Sequence, residues 1–408
     1  MLSVSFALNC GLFRTFMDAG KEDVYPEEGY RPMLEAFLGN PQVKFTLFFE
    51  GVTTKTLSTG HPEVVRLVKE GIRRGQFELG TYTYNHPVLT MLPYEDSKRQ
   101  FAEGLKVDRD LWEVEPTGTM LPEAAWDPTT AQIMNELGLH WVLLGTRVYR
   151  QDFPSSRFAE MRRPFRLAGT NGAVVTALCH DTDHFEEDEP QFYLEGAVVQ
   201  GAERNLEAFR RRVAWHTEQG SCAMVVKNDG EFLYECSLAR KYGRGWEREG
   251  FTAHLGESVP ELVAEGKAEL STALAGYAQT EGVQFRTVGE IVRENPPAGE
   301  PIVLRASAQG YREWFEGSEK VAALWEEARN EIKAARYALL VASKAGLSTE
   351  QAEELLEGAW LKLLEAEIST GRRACAHPAG KASRIIRSLE LALQARQLAQ
   401  EAAEAIGG

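Results

Sequence analysis

The sequence predicts an α/β protein in which a parallel β/α barrel is followed by an all-helical C-terminal domain. Along residues 1–298, short apolar runs alternate with amphipathic helical patterns, as in parallel strands joined by crossover helices. The run Asn295–Gly299 is rich in Pro and Gly and marks a linker, and beyond it apolar residues recur at helical spacing. We therefore expect a barrel domain over residues 1–298 and a helical bundle over residues 299–408.

Short runs of β-branched and aromatic residues give the predicted strands, since such residues fit a buried sheet. These runs are Val4–Leu8, Val43–Phe49, Phe77–Leu79, Thr117–Leu121, Trp141–Leu144, Val174–Leu178, Cys222–Val226 and Val283–Thr287. Between them lie helical patterns, some of which end at glycines such as Gly138 and Gly220. Beyond the linker, helices are predicted around Val321–Leu339, Leu355–Leu364 and Ala379–Ala405.

Composition narrows the classes of partner. The formal net charge of -15 repels nucleic acid and anionic membranes, so we expect neither as a partner. The first ten residues lack the basic leader and apolar run of a secretion signal, and no later apolar run is long enough for a bilayer. Five scattered cysteines form no CxxC pair. A reducing, cytoplasmic setting is therefore expected, while the oligomeric state stays open.

Polar side chains follow several of the predicted strands. Because the carboxyl ends of parallel strands open on one mouth of a barrel, we expect these side chains to converge there. They are Asn9, Glu123, His180, Asp181, Asp229 and Glu231, together with Glu78, which lies in the third predicted strand.

Two of these segments favour sugar chemistry. Glu123 follows a strand and a rigid proline, and the indole of Trp126 comes three positions later, where a sugar ring could stack on it. Asp229 and Glu231 leave another strand on either side of a glycine. Two carboxylates about 5 Å apart suit retaining glycoside cleavage, in which one is the nucleophile and the other the proton donor. The alternatives are a carboxylate stabilised by a helix dipole and a plain polar turn.

Several segments together resemble glycoside hydrolase family 57. Gly75–Leu89 resembles the second family motif, Gly-Gln-x-Glu leading to His-Pro, and Met120–Trp126 resembles the third. Asp229–Phe232 is similar to the fourth motif, Phe285–Ile291 to the barrel-closing stretch, and Trp360–Ser369 to the helical-domain signature.

The resemblance implies an incomplete, seven-stranded barrel and a retaining enzyme that acts mainly on α-glucans without a cofactor. Glu123 maps to the nucleophile and Asp229 to the general acid/base. The predicted substrate is a carbohydrate. The side chains expected around the sugar are Asn9, Glu78, His86, Trp126, His180, Asp181, Glu231 and Trp246.

Some of these residues have equally simple structural interpretations. His86 could be a hydrogen-bonded structural histidine, Glu78 could pair with an arginine, and Trp246 could be a packing tryptophan in its glycine-flanked loop. These alternatives stay open at this point.

The sequence departs from the family at its first motif. In the place of His-x-His-Gln-Pro stands Asn9–Phe13, so both histidines, which line the sugar pocket in the family, are absent. Thr370–Arg373 also departs from the usual end of the helical signature. A non-catalytic carbohydrate-binding relative is therefore a second interpretation. A third is a metal-dependent polysaccharide deacetylase that uses His180 and His184 with the intervening aspartates.

Overall fold

A computed structural model describes residues 1–145, 161–180, 193–243, 249–307 and 316–406. Within these ranges the strands join into one sheet. They are β1 Leu2–Cys10, β2 Phe45–Phe49, β3 Phe77–Thr81, β4 Gly118–Met120, β5 Trp141–Gly145, β6 Phe165–Ala168, β7 Val174–His180, β8 Ala223–Asp229, β9 Val283–Phe285 and β10 Ile302–Val303.

The centre of this sheet is a run of seven parallel strands in the order β7-β5-β4-β3-β2-β1-β8. The outer strands β7 and β8 contact each other, which curls the run into a barrel. Strand β9 pairs with the start of β1, β6 lies antiparallel to β7, and β10 pairs with β6. The predicted seven-stranded parallel barrel is confirmed. It places the ends of β1, β2, β3, β4 and β8 side by side.

Helices cover the outside of the barrel and link its strands. In the described part of the chain they are α1 Arg31–Leu38, α2 Gly51–Gly60, α3 Pro62–Arg73, α4 Tyr94–Trp112, α5 Pro128–Glu136, α6 Tyr193–Gln200, α7 Ala202–Glu218, α8 Phe232–Tyr242, α9 Glu249–Thr252, α10 Pro260–Ala278 and α11 Val288–Glu294. Helices α3, α5 and α10 begin with proline, whose fixed φ suits the first helical turn. None of the described helices is both long and apolar enough to cross a membrane.

Aromatic side chains fill the barrel interior. Phe48 and Trp141 meet edge to face with ring centroids 6.0 Å apart. Trp141 fits because Gly118 on the neighbouring strand has no side chain, since a Cβ there would lie 2.0 Å from the indole. Val288 and Ile291 of α11 are buried in the same cluster and close the barrel at the strand starts. The opposite end, where the strands terminate, is left for polar side chains.

The described C-terminal part of the chain is mainly helical from Glu319 to Ala405. Its helices are α12 Glu319–Lys344, α13 Glu350–Ala366, α14 Ser369–Ala376 and α15 Ala382–Ala405. They pack around a core that contains Trp325, Ile332 and Trp360. Residues that precede the bundle still contact the barrel, because β10 pairs with β6 and Ser307 N–H donates to the carbonyl of Trp126. The boundary at residue 298 stays a prediction.

A buried charge cluster joins the two domains. Arg329 of α12 binds Asp96 of α4 at 2.5 Å and Glu367, after α13, at 2.9 Å. The side chains of both acids are fully buried. Such a cluster holds its geometry firmly, because removing one partner leaves an uncompensated charge away from water.

We therefore expect Arg329→Met to lower the free energy of unfolding by about 3–5 kcal/mol, since two carboxylates lose their counter-ion. Urea denaturation measures this. Arg66→Met is the matched control: Arg66 pairs with Glu63 on the surface, and an exposed, solvent-screened pair contributes little, so the loss should be much smaller. Equal losses in the free energy of unfolding of both variants would contradict the proposed contribution of the buried cluster to stability.

Candidate active site

The strand ends bring two groups of charged side chains to one mouth of the barrel. The first surrounds Glu123, which follows β4, and the second surrounds Asp229, the last residue of β8. Asn9, near the end of β1, is the register partner of Asp229, so the second group lies next to the central strand.

Glu123 lies in a short helical turn, Pro122–Ala124, with an unusual backbone. Glu123 and Ala124 both have left-handed φ angles, of 53° and 49°, which are costly for residues with a side chain. This conformation aims the carboxylate at partners from elsewhere in the chain. Its Oε1 accepts a hydrogen bond from the Ser369 hydroxyl at 3.1 Å and lies 3.3 Å from His86 Nε2.

His86 connects Glu123 to the carboxylate of Glu50. Its Nδ1 lies 2.6 Å from Oε1 of Glu50, and the other oxygen of Glu50 accepts from the Thr53 hydroxyl at 2.9 Å. Tyr82 packs edge-on against the imidazole, with ring centroids 4.9 Å apart. The imidazole therefore lies between two acidic side chains from separate loops.

The charge states in this group follow from the contacts. Burial lowers the pKa of His86, but its hydrogen bonds to Glu123 and Glu50 outweigh burial and raise the pKa to about 9. Burial raises the pKa of Glu123, but the hydrogen bond and charge of His86 outweigh it, so the pKa falls below its usual value. At neutral pH, Glu123 is therefore an ionised carboxylate beside an imidazolium.

The second group is organised by Arg14. One guanidinium nitrogen, Nη2, lies 2.8 Å from Glu231 Oε2 and 3.5 Å from Asp229 Oδ2, while Nε binds Glu235 at 3.1 Å. Lys227 also forms an ion pair with Asp229. The carboxylates of Asp229, Glu231 and Glu235 are thus paired with two cations, Arg14 and Lys227.

The two carboxylates of the Asp-Gly-Glu segment differ in their protonation. Burial raises the pKa of Asp229, but the charges of Lys227 and Arg14 outweigh burial and bring the pKa well below its usual range. Burial raises the pKa of Glu231 to about 8, helped by the charges of Asp229 and Glu235 and opposed by Arg14. Asp229 is therefore ionised at neutral pH, whereas burial raises the pKa of both Glu231 and Glu235.

The two groups belong to one site. The backbone N–H of Gly11 donates to Glu231 at 3.0 Å, and the space beside its Cα is filled by Glu50. The buried hydroxyl of Tyr82 is influenced by both Glu123 and Asp229, which with burial raise the pKa of this phenol. The described mouth thus brings together five of the predicted residues. They are Asn9, His86, Glu123, Asp229 and Glu231.

Other predicted residues lie elsewhere. Glu78, second residue of β3, accepts from Gly289 N–H at 2.7 Å and lies 4.0 Å from Arg293, at the closed end of the barrel. Trp126 is fully buried in an apolar cluster, so its ring face is not open to a sugar.

His180 ends β7 beside the turn that contains Glu123, since a Cβ at Gly145 would lie 3.4 Å from its Nε2 and 3.3 Å from Ala124 Cβ. Asp181 and Trp246 lie outside the described residues. So do Asp183 and His184 of the metal interpretation. Among the described residues, no group of three or more His, Cys, Asp or Glu side chains is arranged to hold a metal ion.

Sequence reasoning missed several residues of the site. Glu50 directly follows β2, so the strand-end pattern that selected Glu123 could have selected it as well. Arg14, Lys227 and Ser369 gave no such signal, because their partners lie far away in the chain or on the same short strand.

The geometry agrees with comparisons with known proteins. Residues 9–183 match the model of glycosyl hydrolase family 57. This stretch, somewhat less than half of the chain, is thus similar to that family. Among similar proteins, an α-amylase of Pyrococcus horikoshii is 31% identical over 118 residues, 29% of this chain and 18% of the relative. A 4-α-glucanotransferase of Thermococcus litoralis is 28% identical over 234 residues, 57% of this chain and 33% of the relative. The aligned stretches thus cover a third or less of these two proteins.

Solved structures resemble nearly the whole chain. The crystal structure of a family 57 branching enzyme from Thermococcus kodakaraensis matches 98% of this chain and 90% of its own, with a TM-score of 0.68 and 15% identity. That of the T. litoralis 4-α-glucanotransferase matches 97% of this chain and 60% of its own, with a TM-score of 0.63 and 18% identity. These likenesses establish the common fold, barrel and helical domain together.

The contacts of His86 predict a pH-dependent contribution to stability. Its folded pKa, about 9, exceeds the unfolded value of about 6.5. Its contribution is therefore complete below pH ~6.5 and lost as pH rises through about 9. We expect the difference in free energy of unfolding between wild type and His86→Gln to shrink over that window in urea titrations.

His61→Gln is the control, because His61 pairs with Glu27 at the surface. Its loss in free energy of unfolding should be only about 0–1 kcal/mol. A difference for His86→Gln that stayed constant through pH 9 would refute this assignment.

Proposed function

We propose that this chain is a retaining α-glycosidase or α-glucan transferase that acts on α-linked oligo- or polysaccharides. The observation that carries the proposal is the position of the Glu123 carboxylate, which His86 and Ser369 hold at the barrel mouth that also contains the acidic group around Asp229. The names of the relatives, α-amylase and 4-α-glucanotransferase, support the same substrate class.

Glu123 is the proposed nucleophile. Its carboxylate attacks the anomeric carbon and forms a glycosyl-enzyme ester, while the leaving oxygen takes a proton. The imidazolium of His86 keeps the carboxylate ionised between turnovers, and the strained turn at Glu123 and Ala124 keeps it aimed. Water or a sugar hydroxyl then attacks the ester, which gives hydrolysis or transfer, and no cofactor takes part.

The proposed proton donor is Asp229, acting as a pair with Glu231. Both carboxylates contact the same Arg14 nitrogen, and interacting acids this close titrate as a unit. At neutral pH the pair holds one proton, which resides at Glu231, while Lys227 and Arg14 stabilise the charge of Asp229. The pair gives its proton to the leaving oxygen and later accepts one from water or the acceptor hydroxyl.

A second candidate function is carbohydrate binding without turnover. Two observations favour it: neither histidine of the first motif is present, and Asp229 is ion-paired with two cations. Both candidates place a sugar at the same mouth, so binding alone does not separate them.

Glu123→Gln separates the two candidates. For an enzyme, we expect turnover of α-linked glucan oligosaccharides to fall by about 1,000-fold or more, because an amide cannot form the ester. Product chromatography measures turnover, and NMR of fresh products should show a retained anomeric configuration. Glu115→Gln, at a surface carboxylate paired with Arg109, is the control and should leave turnover unchanged. Wild-type protein that binds glucans but never cleaves or transfers them would support the binding candidate instead.

The pH profile tests the paired donor. Activity should fall as pH rises through about 8, because the pair then loses the proton that the leaving oxygen needs. Glu231→Gln should abolish that descending limb and reduce kcat by about 100-fold or more. A kcat/KM profile for both proteins provides the measurement. If Glu231→Gln keeps the wild-type limb, the proton is held elsewhere.

A further inference from the structure

Glu50 occupies the space that a side chain at one position of the missing first motif would need. The motif His-x-His-Gln-Pro falls on Asn9–Phe13, so its second histidine falls on Gly11. A Cβ at Gly11 would lie 2.4 Å from Oε1 of Glu50, far inside van der Waals contact. A histidine at position 11 and this placement of Glu50 therefore exclude each other.

The backbone does not require glycine at this position. Gly11 is not among the glycines with left-handed φ angles, so other residues suit its conformation. Its amide already donates to Glu231, and its carbonyl accepts from the Tyr30 hydroxyl. What excludes a side chain at Gly11 is the carboxylate of Glu50.

Glu50 is a fully engaged, buried acid. It directly follows β2 and precedes α2, and only 2% of its side chain is exposed. One oxygen binds His86 and the other binds Thr53. Because a buried carboxylate is costly unless it is paired, these contacts fix both Glu50 and its partner.

The partners of its two ring nitrogens determine the protonation state of His86. Nδ1 faces Glu50 at 2.6 Å, and Nε2 faces Glu123 at 3.3 Å. Ionised carboxylates only accept hydrogen bonds, and a neutral imidazole has a single N–H, so only the doubly protonated ring satisfies both. The remaining neighbour, Tyr82, presents its ring edge-on. On the far side, Glu123 is also held by Ser369 and influenced by Arg373.

We propose that Glu50 is a positioning residue that takes the place of the lost motif histidine and keeps His86 doubly protonated and aimed at Glu123. The catalytic consequence rests on the proposed role of Glu123 as nucleophile. The electrostatic link from Glu50 to His86 does not depend on that role.

The first test follows His86 directly. NMR titration of 15N-histidine-labelled full chain, with the signal assigned through His86→Gln, gives the midpoint for wild type and Glu50→Gln. We expect the midpoint to fall by about 1–3 pH units in Glu50→Gln, because one of two anionic partners becomes neutral without a change in size. Glu27→Gln, which neutralises the partner of His61 on the surface, should leave the His86 midpoint unchanged. An unchanged midpoint in Glu50→Gln overturns the inference.

The second test reads the consequence for Glu123. Loss of the imidazolium lets burial raise the pKa of Glu123, so the acid limb of kcat/KM should move to higher pH in Glu50→Gln, with kcat reduced about 10-fold or more. Glu50→Asp should recover part of the loss. If the wild type turns over no glucan while the His86 midpoint still shifts, the proposed function fails and the electrostatic link stands.

A double-mutant cycle tests the shared space. Gly11→Ala should destabilise wild type, because its Cβ displaces the Glu50 carboxylate, and should cost much less in a Glu50→Ala background, where the space is free. Thermal unfolding of the four proteins measures the coupling. Additive effects would show that Gly11 and Glu50 do not compete, which overturns the proposed replacement.

Discussion

The site depends on one charged contact, the imidazolium of His86 between Glu50 and Glu123. It joins the segments that follow β2, β3 and β4. Without this cation, Glu123 would lose the hydrogen bond and charge that oppose the effect of burial on its pKa. The ionised state of the proposed nucleophile Glu123 thus depends on the loop that carries His86 as well as on its own.

The barrel supplies the framework for this contact. Parallel strands in register bring Asn9 beside Asp229, and the glycines that admit Phe48 and Trp141 let the interior close beneath the mouth. Positive charges are distributed between the two groups: the imidazolium of His86 lies beside Glu123, and Arg14 with Lys227 lies beside Asp229. One mouth therefore holds two carboxylates with lowered pKa values, Glu123 and Asp229, and a third, Glu231, whose pKa is raised.

Sequence patterns located many residues of this site but not the contacts between them. Alternating strands and helices predicted the barrel, and the strand-end rule found Asn9, Glu123, Asp229 and Glu231, because strand direction alone decides which end they occupy. Glu78 failed the rule because β3 continues to Thr81, which places Glu78 near the strand start. Trp126 followed the right turn but points into the core. Periodicity identifies elements, whereas the partners of Arg14 and Ser369 are set by tertiary folding more than 200 residues apart in the chain.

The hydrogen bond from Ser369 to Glu123 has a wider meaning, because Ser369 begins α14 in the helical domain and its N–H also donates to the His86 carbonyl. Two parts of the chain must therefore dock before the site is whole. If the helices separate from the barrel, Glu123 loses the Ser369 hydroxyl and the His86 carbonyl loses its backbone partner. The contacts of Glu123 therefore report on whether the two ends of the chain have come together, and they are complete only in the assembled molecule.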